Sequence, residues 1–231
     1  MRLAVILAPA RWVLLIPHPR ALAHFAVEHS RYLAENWWAT FSVSTAAAVA
    51  ALILAIGLAA LTVRFRTVDF VLTPLVAISQ SFPLQAIAPL LIVALGVGFH
   101  TKVLIAYVIA FFPMYGACVT ALKATPQPLL AHLAVCRATF LRGLWHVRIP
   151  AALPAIVSSV KVGFTLAVLG AVVAEFIQPD KGLGSLLVVG QSSYDIELIY
   201  ICIFLLMAQG LAIYGIAWRV ESHLLRMREA R

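Results

Sequence analysis

From Trp38 to Val63 the chain carries no charged residue, and from Phe70 to Phe99 it again carries none. A helix of about 20 apolar residues crosses the roughly 30 Å hydrocarbon core of a bilayer. Runs of this length and purity constrain the chain more than any other feature. In water they would expose apolar patches large enough to aggregate. Inside lipid, helices keep the backbone polar groups paired. Composition agrees, with 63% of residues hydrophobic and 11% charged, against about a quarter charged in an ordinary soluble domain. The sequence predicts an all-α polytopic membrane protein, a bundle of five or six transmembrane helices.

The first run, Leu3 to Ile16, is short and holds Arg11. It reads as a poor first span, with a signal peptide ending near Ala8-Pro9-Ala10 as the alternative. Residues 1–35 form this span and an external segment. The main domain covers 36–225, opened by Trp37 and Trp38 as interfacial aromatics. Within it, 38–63, 103–122, 153–177 and 198–218 read as spans. The stretch 70–99 contains Pro74, Pro83 and Pro89, which predicts either a tilted, kinked helix or a surface helix followed by a span. Residues 178–197 read as a polar loop turning at Gly182-Leu183-Gly184.

The longest polar break is 123–150, and a basic tail covers 219–231. Pro126, Pro128, Pro150 and Pro154 punctuate the break, and 129–145 between them reads as one or two short amphipathic helices. Lys and Arg residues mark the cytoplasmic side of a membrane protein. With six spans, eleven of them fall on the side holding Arg64, Lys123 and Arg219, and four (Arg20, Arg31, Lys102, Lys181) on the other. The break 123–150 and the C-terminus are therefore expected in the cytoplasm.

The same distribution accounts for the formal charge of +8 without nucleic acid, because the basic residues sit between apolar runs and form no stripe. Cys118, Cys136 and Cys202 are scattered without metal-ligand spacing. The seven histidines fall outside the expected spans, so no metal site is expected. No GxxxxGK[ST] phosphate cradle occurs, nor any H-E-x-x-H or nucleophile-elbow signature. A membrane enzyme is thereby disfavoured. A secondary transporter or channel not driven by ATP stands as the alternative to an ATP-driven system, although it would call for mid-membrane ionisable groups or inverted repeats.

At Val147-Arg148-Ile149-Pro150, followed by Ala151-Ala152-Leu153-Pro154, the sequence resembles the exit of the cytoplasmic "EAA" loop of binding-protein-dependent ABC importer permeases. Ser81-Phe82-Pro83, Ala88-Pro89-Leu90-Leu91, Lys161-Val162-Gly163, Gly170 to Phe176 and Gly182-Leu183-Gly184 resemble the nitrate, sulfonate and taurine branch and its thiamine- and riboflavin-precursor relatives. Counting back from Pro150, Ala131, His132 and Leu133 occupy the E-A-A positions and Arg137 the family's glycine. The loop is a degenerate version of the motif.

The resemblance implies a permease forming half of a translocation pathway in a bacterial cytoplasmic membrane, without a cofactor of its own. It implies ABC ATPase subunits that bind ATP, a second permease copy or paralogue, and an extracytoplasmic solute-binding protein. The loop would then couple to the ATPase. Leu129, Leu130 and Leu133 supply an apolar ridge, with Phe140, Leu141 and Leu144 following, and Arg137, Arg142 and Arg148 could meet acidic groups. The alternative is an amphipathic segment resting on lipid. Trp145 fits either reading.

Gln80, Ser81 and Gln85 flank Pro83, whose missing donor frees a backbone carbonyl, as at polar pathway sites. Helix–helix hydrogen bonding explains them equally. Lys161 reads as a snorkelling side chain or a pathway cation, and Glu175 as an interfacial carboxylate or a pathway group.

Overall fold

The computed structural model describes residues 18–81 and 83–229, so the expected span at 3–16 lies outside the described residues. Among the described residues ten α-helices alternate with short turns and no strand occurs. They are α1 (Pro19–Glu28), α2 (Ser30–Arg64), α3 (Arg66–Ser81), α4 (Ala88–Leu95), α5 (Phe99–Lys123), α6 (Gln127–Val135), α7 (Phe140–Gly143), α8 (Ile149–Ile177), α9 (Leu183–Ser193) and α10 (Ile196–Glu229).

Four helical stretches are long and apolar enough to cross a membrane: Ser30–Arg64, Phe99–Lys123, Phe140–Ile177 and Ile196–His223. They contain the spans expected at 38–63, 103–122, 153–177 and 198–218.

The bundle core is built from small residues. On α2, Ala47, Ala51, Ala55 and Ala59 recur every fourth position and are fully buried, so they form one stripe along the helix. Facing them in the same cluster are Ala106, Ala110, Met114 and Cys118 of α5 and Ala167 and Ala171 of α8. Small side chains let helix backbones approach closely, and close packing is what holds helices together in lipid. The approach is closest at Gly170, where an added Cβ would lie 2.6 Å from the Cα of Ala106. A second cluster joins Leu33 to Leu183, Leu186, Leu198, Ile201 and Cys202, and Leu22 and Phe25 of α1 pack against it.

The stretch 66–99 is neither one kinked helix nor a surface helix followed by a full span. Helix α3 tolerates Pro74 in its interior and ends before Pro83. A 3-10 turn, Leu84–Ile87, leads into the eight-residue α4. At 1.5 Å per residue α4 reaches only about 12 Å. Pro83 and Pro89 each lack the N–H that a continuous helix needs, and Gly96 closes α4 with φ 79°.

Two further differences concern the second half. Pro154 lies inside α8 and does not punctuate the chain. A π turn, Leu144–Arg148, bridges α7 and α8, so 140–177 runs as one helical rod. Pro150 and Pro154 remove the amides that would bond the carbonyls four residues earlier, and a π turn absorbs such a local mismatch. The expected polar loop 178–197 contains a helix, α9, held between α8 and α10.

Candidate functional site

Two regions collect the residues singled out by the sequence. The first is the segment between α5 and α8. Pro126 ends the turn after α5, and Pro128 sits in the first turn of α6, where a missing N–H costs nothing. Helix α6 stands away from the core with no buried residue. Leu129, Ala131 and His132 are exposed and Leu130 is half-buried. Val135 is 82% exposed and Leu141 65%. Leu133 turns inward, because the Cβ of any side chain at Gly143 would lie 3.0 Å from its Cδ1. Its place in the expected ridge is thus on the inner side, joining α6 to α7. Phe140 is also engaged internally, with the Arg64 guanidinium 5.4 Å from its ring centre.

Helix α6 ends in a Schellman cap centred on Arg137. The Arg137 N–H donates to Ala134 O at 3.1 Å and the Ala138 N–H to Leu133 O at 3.0 Å, the paired bonds that define this stop. Arg137 itself has φ 45°. That left-handed conformation suits glycine and costs other residues ~1 kcal/mol. Arg137, which the resemblance sets against the family's glycine, thus adopts a conformation that glycine adopts freely. Arg142 is exposed, Val147, Arg148 and Ile149 are half-buried, and Pro150 is exposed at the start of α8. Trp145 projects from the π turn and is exposed.

The second region is polar and lies inside the bundle. Glu175 is fully buried near the end of α8. Its Oε1 accepts a hydrogen bond from the Thr40 hydroxyl at 2.9 Å, and its Oε2 accepts one from the Gly184 N–H at 2.8 Å. The Thr40 Oγ1 accepts from the Leu183 N–H at 2.7 Å, and the Asn36 Oδ1 from the Gly182 N–H at 2.9 Å. Three consecutive amides at the start of α9 are thus capped by side chains of α2 and α8. The amides of a helix's first turn lack intrahelical partners and carry a partial positive charge, which makes this a favourable seat for a buried carboxylate. Gly182, at φ 124°, permits it, since a Cβ there would fall 2.1 Å from the Glu175 carboxyl carbon.

Lys161 forms an ion pair with Glu221 of α10, and its ammonium lies 5.2 Å from the Tyr214 ring centre. Lys102, placed by the sequence in an outer turn, is buried and binds the Asp180 carboxylate and the Lys181 carbonyl, the latter at 2.8 Å. Gln85 is exposed on the 3-10 turn. The side chains of Gln80 and Ser81 lie outside the described residues. The structure does not gather Gln85, Lys161 and Glu175 into one site: Glu175 joins α2, α8 and α9, whereas Lys161 joins α8 and α10. A cavity of about 480 Å³ opens beside the capped start of α9, among Asn36, Trp38, Asp180, Lys181 and Ser185.

Sequence reading missed Asn36 and Thr40. Their signal was present: Asn36, Thr40 and Ser44 repeat every fourth residue and share a helix face. Ser44 accepts a hydrogen bond from Gln209 of α10 at 3.0 Å.

Fold and site define a class: a membrane-embedded bundle of small-residue helices with an exposed helical appendage set into its span order. The chain belongs to the family described as "Binding-protein-dependent transport system inner membrane component", whose model matches residues 33–225. It is 36% identical over 154 residues to a probable ABC transporter permease protein of Haemophilus influenzae, covering 66% of this chain and 63% of that protein. It is 34% identical over 163 residues to the riboflavin transport system permease protein RibX of Chloroflexus aurantiacus, covering 71% and 61% respectively. The matches thus span less than two thirds of the length of these two relatives. A formylaminopyrimidine transport permease, ThiX of Halalkalibacterium halodurans, is 25% identical and covers 83% of this chain and 76% of its own. The fold matches a chain of the inward-facing MetNI methionine ABC transporter with a TM-score of 0.74, at 18% identity, over 85% of this chain and 98% of that one.

Proposed function

We propose that this chain is the permease subunit of an ATP-driven importer in a bacterial cytoplasmic membrane. It forms half of a translocation pathway and leaves ATP hydrolysis to separate ABC subunits. A second permease copy or paralogue completes the pathway, and an extracytoplasmic solute-binding protein delivers the solute. The domain boundaries fit this reading: 36–225 as permease, 123–150 as the cytoplasmic coupling loop, and 219–231 as a basic cytoplasmic tail.

The observation that carries the reading is mechanical. Helix α6 is exposed, is pinned to α7 through Leu133 on Gly143, and α7 continues through the π turn into the rod that packs on α2 and α5. A force applied to α6 from the cytoplasm is delivered to a membrane-spanning helix with one short joint between them. Short rigid elements that dock apolar side chains and move as a body suit such transmission.

The substrate class is a small anion of the sulfonate, nitrate or taurine kind, or a heteroaromatic precursor of the thiamine or riboflavin pathways. Relatives named for riboflavin, formylaminopyrimidine and taurine transport support this choice. Gln85, with Gln80 and Ser81, is the proposed pathway cluster. Lys161 and Glu175 act there indirectly, by holding α8 against α10 and α9.

The test is uptake of labelled solute by proteoliposomes holding the chain with its ATPase and binding protein. ATP-dependent uptake, lost in Leu129→Glu at equal assembly, is expected. Uptake that ignores ATP and follows an ion gradient would replace this reading with a secondary transporter.

A further inference from the structure

The cavity beside the start of α9 belongs neither to the coupling loop nor to the pathway cluster proposed above, and the polar groups around it are unevenly engaged. Asn36 is fully committed, its Oδ1 accepting the Gly182 N–H and its Nδ2 donating to the Tyr32 carbonyl at 2.9 Å. The two carboxylates that border the cavity are each held by a cation, Glu35 by Arg31 at 3.1 Å and Asp180 by Lys102. Donors remain. Ser185 is 3% exposed, and among the described residues its buried hydroxyl has no hydrogen-bond partner. Its N–H is the amide in the first turn of α9 that no described side chain caps. Those of Gly182, Leu183 and Gly184 are taken, and that of Leu186 bonds the Gly182 carbonyl. Lys181 is exposed on the same border, and among the described residues its ammonium has no ion pair.

Folded proteins rarely leave a buried hydroxyl unpaired. A hydroxyl, an amide and an ammonium together suit a ligand that accepts hydrogen bonds and carries negative charge. The cavity is also bordered by Tyr32 and Trp38, which are 48% and 61% exposed. Trp38 opens the uncharged run of α2, and amphipathic rings of this kind sit where headgroups meet hydrocarbon. A ligand here meets both donors and aromatic surface.

We propose that this cavity binds an oxyanion carried on an organic body. The oxygens of its phosphate or sulfonate group are held by the Ser185 hydroxyl and amide and by the Lys181 ammonium, and the body lies against Trp38 and Tyr32. A tetrahedral group offers a separate oxygen to each donor. A phospholipid headgroup and a free organic sulfonate share this chemistry.

The experiment uses the full chain purified in a maltoside detergent. Native mass spectrometry first reads any retained phospholipid. The delipidated chain is then melted with butanesulfonate, with a short-chain phosphatidylglycerol, and with the matching diacylglycerol, which lacks the phosphate. One or both oxyanion probes, at about tenfold excess over Kd, should raise the melting midpoint by roughly 3–6 °C, and diacylglycerol should not. Ser185→Ala removes a hydroxyl that the fold itself does not use. Without probe it should melt at or above the wild-type temperature, yet it should bind the effective probe about tenfold more weakly. Lys181→Gln should weaken binding similarly, and the wild-type response should shrink near 1 M salt, where the screening length is about 3 Å.

A response to the lipid alone assigns the site to a headgroup, and a response to butanesulfonate alone assigns it to a water-borne solute; both uphold the proposal. An equal response to diacylglycerol would overturn it, because the oxyanion would then be irrelevant. So would wild-type responses in Ser185→Ala and Lys181→Gln, or a wild-type chain that retains no phospholipid and answers to neither probe. A lower melting midpoint of Ser185→Ala without probe would show the hydroxyl serving the fold, which also contradicts the proposal. None of these measurements uses ATP or uptake, so their outcome is separate from that of the permease reading.

Discussion

Glu175 and Thr40, 135 positions apart in the chain, meet through a buried hydrogen bond of 2.9 Å at the start of α9. The Thr40 hydroxyl accepts from the Leu183 N–H and donates its own proton to the carboxylate, so one side chain serves as acceptor and donor at once. Removing it leaves a buried amide and a buried carboxylate short of partners. Thr40→Val, nearly isosteric, is expected to destabilise by ~1–3 kcal/mol, read as a lower midpoint of thermal unfolding in detergent. Gly182→Ala should be worse than Thr40→Val, because it adds a clash with Glu175 to an unsuitable φ. Equal or higher stability in Gly182→Ala would refute the geometry at this cap.

Gly170 sets the separation of α5 and α8. Its neighbour is the backbone of Ala106, which cannot rotate away. Gly170→Ala should therefore cost about 1–3 kcal/mol through overpacking, whereas Gly57→Ala, with open space around it, should not. Melting the two variants side by side gives the comparison.

The Lys161–Glu221 pair lies on the partly buried seam between α8 and α10. Lys161→Met alone strands a carboxylate and should destabilise by about 3–5 kcal/mol at most, since the pair is not wholly buried. Lys161→Met combined with Glu221→Gln removes both charges and should recover most of that loss. If the double variant is stable and transports normally, Lys161 is a structural residue. Stable protein with lost uptake of an anionic solute would instead make it a pathway cation.

At the cytoplasm-facing end in the proposed orientation, Lys123 donates to Asp69 at 2.7 and 2.8 Å, and Thr73 donates to it at 2.7 Å. The Lys123 bond is the main cause holding the Asp69 carboxyl below its ordinary range, with Thr73 next. A depressed folded pKa gives stability that is present above the unfolded value, about 3.9, and is lost as pH falls through the folded one. Both partners are substantially solvent-exposed, so the contribution is small, ~0–1 kcal/mol. Asp69→Asn should leave the melting midpoint at pH 7 nearly unchanged and flatten its decline at acid pH. An unaltered acid slope would count against the contact.

Spans were legible where apolar runs stood between charges, as at Arg64 and Lys123. Pro83 and Pro89 announced a disturbance, but proline alone does not say whether a helix bends or stops. The structure stops it, because two missing donors fall within one short stretch. Helix α9 was hidden because Leu183–Ser193 is only eleven residues long and rich in glycine and serine, and its start is stabilised by residues far away in sequence. Long-range capping of that kind leaves no local signature. The left-handed φ of Arg137 was not legible, because a long charged side chain gives no sign of the positive φ that glycine would announce. Leu133 was legible as part of an apolar ridge, but periodicity gives a helix face and does not say which neighbour covers it; the structure sets Leu133 against Gly143.

The account turns on which side of the membrane holds α6. Cys136, exposed at the end of α6, is suited to report it, because Cys118 and Cys202 are buried. A membrane-impermeant maleimide should label Cys136 in inside-out vesicles but not in intact right-side-out cells, and bound ATPase subunits should slow the reaction. Labelling of Cys136 from the outside of sealed cells would contradict the account.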